Sequence, residues 1–363
     1  MRALLVWLAL VVPAMPALAA ASTAPQISLL TFAPGEIYWQ RFGHNALVVR
    51  DGARAQVYNY GIFDFRQKNF FLNFARGRMV YRLDVAPLDW TLRQYAAEGR
   101  WAVEQALAFD TARSRELARF LAWNALPENA EYRYDYFLAN CSTRVRDALD
   151  RAMAGGLRAQ LESRAGGGTY RSEVLRLMAP MPALMIGMDL GLGPRVDLPL
   201  NQWQEGFIPM RLMQAVRDVR VDGRPLVQAE RRLLADGAAE APPQTAPSPL
   251  LPFALGGLGL AALLLASRLL RAVNAALVGG YALVCGLAGL VLAVGWLATA
   301  HWAMAANRNL LLLNPLWLLL LPATFGRAGA RRPGLLTRAA VAAIAALGLV
   351  ALPVALAGVQ PNL

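Results

Sequence analysis

Lysine is almost missing from this chain. Lys68 is the only one, so the formal net charge of +12 is carried by arginine. Such usage reflects genome composition first, and secondarily favours contact with anionic lipid headgroups. Charged residues make up only 17% of the 363 positions against 56% hydrophobic ones, and the mean hydropathy is +0.35. That balance excludes an ordinary soluble protein and calls for lipid-embedded segments. Cysteine and histidine are equally scarce, at two each: Cys141, Cys285, His44 and His301. A disulfide framework is excluded, because Cys285 lies in the apolar run YALVCGLAGLVLAVGWLA, where a small buried hydrophobe is expected. Cys141 is left alone in the polar part of the chain. No aromatic-basic motif is present, so nucleic acid is not an expected partner. No internal repeat is present either.

Residues 1–20, MRALLVWLALVVPAMPALAA, combine Arg2, a short apolar run and a small-residue tract. They read as an export signal cleaved after Ala19 or Ala21; the alternative is an uncleaved anchor, although Pro13 and Pro16 break the run. The polar part is assigned to 21–235, a Pro/Ala-rich linker to 236–249 and a membrane domain to 250–363. Four apolar stretches follow the linker, at 250–266, 275–298, 310–325 and 339–357, the third interrupted by Pro315. Arg268 and Arg271 follow the first, and Arg327, Arg331, Arg332 and Arg338 follow the third. The positive-inside rule puts both loops in the cytoplasm. The domain before the linker, the His301 loop and the C-terminus then share the outer side, which corresponds to the bacterial periplasm with anchoring in the cytoplasmic (inner) membrane.

Within the exported domain, apolar or alternating runs at 27–32, 46–50, 56–60, 79–85 and 102–109 read as strands, with Asp51-Gly52 a hairpin turn between the second and third. Helical patterns cover 111–126, with Asp110 as N-cap, then 140–153, 171–178 and 202–219. The Met-rich stretch MPALMIGMDLGLGP between the last two is assigned to the core, with bilayer contact as the alternative. The fold class is α+β, followed by an all-α bundle of about four transmembrane helices.

Two motifs carry chemistry. In RFGHNAL, His44 enters a strand; in YFLANCSTR, Cys141 stands at the first turn of a helix with Asn140 as candidate N-cap. Unpaired backbone N–H groups and the helix dipole at that turn favour a thiolate, the attacking form. A strand histidine facing a helix-start cysteine is an arrangement for covalent acyl transfer, one residue carrying the acyl group and the other moving the proton. The plainer alternatives are a small buried cysteine in a helix–strand seam and a hydrogen-bonded core histidine. No metal site and no cofactor is expected.

The stretches FGHNALVVRD, VYNYGIFDF, AEGRWAVEQALAF, YDYFLANCSTRVRDAL, WQEGFIPMRL and NRNLLLLNPLW resemble the Lnb-type lipoprotein N-acyltransferases, an N-terminal periplasmic domain followed by a transmembrane region. That domain is in turn similar to the permuted papain-like thiol fold (NlpC/P60- and LRAT-like), in which histidine precedes cysteine. The resemblance implies Cys141 as nucleophile and His44 as general base. It also implies a third polar residue on the next strand, matched best by Asn59 and second by Gln56. Asn140 is either a cap or an oxyanion donor, and the Cys141 backbone N–H is a natural oxyanion donor. His301, beside Trp302, is either an interfacial residue or part of the acceptor or lipid site. Asp64, Arg66, Tyr134 and Asp135 lie near the two motifs in sequence, with surface or structural roles expected.

The implied activity moves an acyl chain from a phospholipid through a Cys141 thioester to the N-terminal amine of a lipoprotein, with phospholipid, lipoprotein and membrane as partners. A Cys/His hydrolase of lipid esters or peptidoglycan peptides, and a non-enzymatic envelope protein, are the competing classes. A polytopic anchor favours a lipid substrate. The His44–Cys141 cleft is expected to face the membrane bundle.

Overall fold

Alternation of apolar side chains from residue 26 to 62 builds three consecutive antiparallel strands, and the rest of the sheet grows outward from them. A computed structural model describes residues 24–235, 237, 242–248, 250–325, 334–358 and 360–362. The expected export signal and its cleavage points lie outside these residues. The strands are β1 (Gln26–Phe32), β2 (His44–Asp51), β3 (Arg54–Ile62), β4 (Val80–Pro87), β5 (Ala102–Leu107) and β6 (Glu131–Arg133). Then come the small hairpin β7 (Arg220–Val221) and β8 (Arg224–Pro225), and β9 (Val227–Leu234). The main sheet has seven strands in the order β6-β4-β3-β2-β1-β5-β9, with all neighbours antiparallel. The Asp51-Gly52 turn joins β2 to β3 as expected, with Asp51 opposite Arg54.

Helices cover both faces. These are α1 (Phe70–Ala75), α2 (Leu88–Ala97), α3 (Thr111–Asn124), α4 (Pro127–Ala130) and α5 (Cys141–Ala152), then α6 (Gly156–Glu162), α7 (Tyr170–Met178) and α8 (Pro182–Gly191). The domain closes with α9 (Gln202–Glu205) and α10 (Pro209–Val216). The expected helix at 202–219 is thus two helices, split at the Gly206–Pro209 stretch because proline removes an N–H and clashes with the preceding turn. Asp110 caps α3, its carboxylate accepting from Arg113 N at 2.8 Å.

Strand period 2 sorts the side chains. Ile27, Leu29, Leu47, Tyr58 and Tyr60 face one way and pack with Leu117 and Leu121 of α3, Val145 and Leu149 of α5, and Leu212 and Val216 of α10. Leu30, Phe32, Ala46, Val48 and Val57 face the other way, under Leu88, Leu92 and Tyr95. Each fully buried leucine contributes about 1.5–3 kcal/mol. A third apolar cluster, with Phe137, Tyr170, Leu177, Met178, Phe207 and Ile208 at its centre, joins α7 to the segment before α5 and extends to Trp302 of the membrane part.

The membrane part differs from expectation in one element. Among the described residues, three helices are long and apolar enough to cross a membrane: α11 (Leu250–Ser267), α12 (Arg271–Leu297) and α14 (Leu335–Leu356). The stretch at 310–325, expected as a fourth, is not a membrane-length helix. It runs as 3-10 turns at Arg308–Leu311 and Pro315–Leu320 followed by α13 (Leu321–Phe325). Pro315 starts the second turn, and Asn309 and Asn314 are buried in the same stretch. Non-helical backbone at such depth is tolerated where protein covers it. Here it lies along α12, where a Cβ on Gly289 would collide with the Asn314 backbone and Trp317 meets Tyr281 edge to face at 5.2 Å.

Candidate active site

The two motifs meet through a residue to which sequence reasoning gave no role. Asn45 follows His44 and is fully buried at the start of β2. Its amide Nδ2 donates to Ser142 Oγ at 3.0 Å and to the Pro209 carbonyl at 3.4 Å, while Thr31 Oγ1 donates to its Oδ1 at 2.8 Å. Ser142 in turn donates to the Gly206 carbonyl at 2.6 Å. The residue after the histidine is therefore pinned to the residue after the cysteine, and the backbone N–H of Asn45 lowers the Cys141 thiol pKa. The signal was present in the sequence, as the Asn of HNA and the Ser of NCS, but no periodicity marks a buried polar bridge.

Gly61 completes the seat for the thiol. It takes φ +89°, and a Cβ added there would stand 3.1 Å from Cys141 Cβ. The absent side chain lets the start of α5 approach the end of β3. Asn59, two residues earlier on β3, lies beside His44, with Nε2 and Oδ1 at 3.2 Å. With that oxygen as acceptor, Nε2 carries the proton and Nδ1 is left as the basic nitrogen. The structure thus brings together His44 and Asn59. Gln56 is exposed and pairs with Val49, five residues along β2 from His44.

Electrostatics favour the neutral forms of both His44 and Cys141. Burial lowers the His44 pKa to about 4, aided by the Arg100 charge and opposed by the Asn59 hydrogen bond. Burial also raises the Cys141 thiol, although the backbone N–H groups of Asn45, Ser142 and Cys141 and the Arg100 guanidinium all pull the other way. The expected thiolate-stabilising groups at the helix start are present, but desolvation outweighs them. Arg100 is itself buried, donating to the Ala33 carbonyl at 2.7 Å and lying 4.5 Å over the Tyr95 ring. Tyr95 and Phe32 stack on each other at 3.5 Å and lie together on one side of the His44 ring, each with its centroid at 6.1 Å. Neither Tyr95 nor Arg100 lies in either motif, so only the fold reveals them.

The remaining candidates separate. Asn140 is a cap: its Oδ1 accepts from Thr143 N at 2.9 Å, and its amide protons go to the Tyr136 and Phe207 carbonyls at 2.9 Å each. Its donors are occupied, which leaves the Cys141 N–H as the oxyanion candidate of the two. Tyr134 and Tyr132 lie near the thiol; burial raises both hydroxyl pKa values, and the Cys141 charge adds to it. Asp135 shapes the turn before the cysteine by accepting from Phe137 N and Leu138 N, and its other oxygen accepts from Trp302 Nε1 at 2.7 Å. Asp64 and Arg66 form an exposed pair with each other. His301 does not join the His44–Asn59 pair; it stacks on Tyr136 at 5.8 Å and donates from Nε2 to the Phe74 carbonyl at 3.0 Å. Cys285 is buried in α12, as expected. Among the described residues no group of three or more His, Cys, Asp or Glu is placed to hold a metal ion.

A histidine–asparagine pair whose strand is tied through Asn45 to Ser142, the residue after a helix-start cysteine, in an α+β domain joined to helices of membrane length, defines the class: a membrane-anchored α+β protein. Residues 17–178 match the family model of the Lnb N-terminal periplasmic domain, and residues 250–355 match that of the Lnb transmembrane domain. The chain belongs to the Lnb-type family, with a periplasmic domain and a C-terminal membrane region. No curated protein and no solved structure matches it.

Proposed function

We propose that this protein is a thiol acyltransferase of the inner membrane that moves an acyl chain from a phospholipid to the N-terminal amine of a lipoprotein. The observation that carries the reading is the Asn59–His44 contact on a strand that the Asn45–Ser142 bridge ties to the residue after Cys141. The chain order of histidine, asparagine and then a helix-start cysteine supports placing the domain among permuted papain-like thiol enzymes. Both substrates are lipid-anchored, so membrane helices bring enzyme, donor and acceptor into one plane.

The neutral pair sets the sequence of proton movements. As Cys141 Sγ attacks the ester carbonyl of the phospholipid, its proton passes to His44 Nδ1. Asn59 holds Nε2–H and steadies the imidazolium that forms. The oxygen of the tetrahedral intermediate takes the Cys141 backbone N–H. Collapse expels the glycerol oxygen, which leaves with the proton from His44 as a lysophospholipid, and the acyl group remains on sulfur as a thioester. The α-amine of a diacylglyceryl-cysteine then attacks that carbonyl, His44 takes the amine proton and returns it to the departing thiolate, and an amide results. Water in place of the amine would make the same residues a hydrolase.

The test is made in a conditional strain depleted of its own lipoprotein N-acyltransferase. Expression of the wild-type chain should yield triacylated lipoprotein by mass spectrometry, and Cys141→Ala should yield only the diacylated form. Diacylated product with the wild type, or triacylated product with Cys141→Ala, contradicts the reading.

A further inference from the structure

The segment from Phe65 to Arg78, FRQKNFFLNFARGR, carries four cations and no carboxylate, and it includes the only lysine of the chain. It contains α1, whose Phe70 is buried while Phe71 is 72% exposed, Leu72 46% and Phe74 37%. Phe65 (49% exposed) and Trp39 (40% exposed) extend the apolar surface beside it. These rings touch in series: Trp39 on Phe65 at 5.9 Å, Phe65 on Phe70 at 5.1 Å and Phe70 on Phe74 at 6.5 Å. Lys68, Arg76 and Arg78 stand exposed among them.

The position of this ledge follows from its contacts with the membrane part. The apolar helix α12 ends at Leu297, and its last residues include the exposed Trp296 and Leu297. Three residues later the Ala300 N–H donates to the Arg76 carbonyl at 2.9 Å, and His301 reaches the Phe74 carbonyl. At about 1.5 Å per helical residue, or a little over 3 Å when extended, α1 stands within roughly 10 Å of the end of a membrane helix. Exposed aromatic side chains flanked by arginine and lysine at that level are the chemistry of the headgroup–acyl boundary.

We propose that α1, with Trp39 and Phe65, is seated in the outer leaflet of the membrane that holds α12: Phe71, Leu72 and Phe74 enter the acyl region while Lys68, Arg76 and Arg78 meet phosphate. The partner is the lipid surface itself. Phe65 lies four residues beyond Gly61, the residue against which Cys141 packs, so one stretch of chain carries both the ledge and the seat of the thiol. The seating does not depend on the acyl-transfer reading and is tested without catalysis.

The experiment uses the full chain with Cys141→Ser and Cys285→Ala, reconstituted in vesicles of phosphatidylcholine and phosphatidylglycerol. One cysteine is introduced at Phe71 (F71C), or at Leu72 (L72C) should the first variant fail to reconstitute, and labelled with an environment-sensitive nitrobenzoxadiazole. Ala53 (A53C), on the exposed turn at the opposite end of β3, serves as the remote site, roughly 30 Å along the strand. Nitroxide on the lipid chain should remove most of the emission at position 71 or 72 and little at 53, and aqueous iodide should do the converse. Equal exposure of both sites to iodide overturns the proposal. So does protection at 71 from both quenchers, which would mean that protein and not lipid covers the ledge.

Discussion

At the scale of single residues, the site is set by burial more than by charge. A histidine whose pKa lies at about 4 stays neutral where an ordinary imidazole near 6.5 is already protonated. Thioester formation from an ester donor should therefore persist down to about pH 5, and its acid limb should fall near 4, measured as acyl-enzyme accumulation against pH. Stability follows the same linkage with a definite sign. The neutral form is favoured in the folded state, so its contribution is complete above pH 6.5 and is lost as pH falls toward 4, because the unfolded chain takes the proton first. Relative to His44→Asn, the wild type should lose up to roughly 3 kcal/mol more across that window, read from denaturant midpoints. Asn59→Ala should slow acyl-enzyme formation and lower the acid limb further, since the Asn59 bond is the one influence that raises the His44 pKa. Gln56→Ala should change neither.

At the scale of elements, the start of α5 depends on what β2 and β3 leave open. Gly61→Ala adds a Cβ at φ +89° and 3.1 Å from that of Cys141, so it should cost at least about 1 kcal/mol and displace the thiol. The expected result is a lowered Tm together with a larger fall in acyl-enzyme rate than the stability loss explains. Asn45→Ala removes the buried acceptor of Thr31 and the donor to Ser142, which keeps only its bond to the Gly206 carbonyl, and should cost about 1–3 kcal/mol. The strands β1 to β5 and the Asp110 cap were legible in the sequence through alternation and a side-chain cap, Asn140 was one of two readings, and Asn59 beside His44 was implied by the family resemblance with Gln56 as the second match. The edge strand β9 was not. Its run VQAERRLL is charged, and its pairing with β5 is fixed by tertiary contacts such as Gln105 to Glu230 at 2.8 Å. The apolar stretch at 310–325 was legible as membrane sequence but not as broken structure, since its path depends on Gly289 of another helix.

At the scale of the whole molecule, the membrane part and the periplasmic domain lock through backbone carbonyls that a helix end leaves unpaired. Asn307 Nδ2 donates to the Leu190 and Gly191 carbonyls at the end of α8 at 2.7 and 3.0 Å, and Asn309 donates to Leu190 at 3.1 Å. Gln360, beyond α14, binds the Asn307 side chain, and Asn362 reaches the Asp189 carbonyl. Arg171 holds the same end of α8 from inside the domain through Asp189 and the Leu192 carbonyl. The Met-rich stretch assigned from sequence to the core does pack there, with Met185 buried and Met181, Met188 and Leu192 against the same cluster, and the end of its helix also docks the membrane part. With a protease site placed in residues 242–248, which form no helix or strand, the cleaved halves of the wild type should co-elute in detergent. The Asn307→Ala, Asn309→Ala variant should let them separate.

The site ends on the segment that this dock and the Asp135–Trp302 bond hold against the membrane loop. The claim that everything else serves is that the Cys141 sulfur itself carries the acyl group. Incubation of the purified full chain with phospholipid, without an acceptor amine, followed by peptide mass mapping, tests it directly. The expected result is one acyl mass on the peptide containing Cys141, removed by neutral hydroxylamine and absent from Cys141→Ala. An acyl group found elsewhere on the chain, or full acyl transfer by Cys141→Ala, would contradict it.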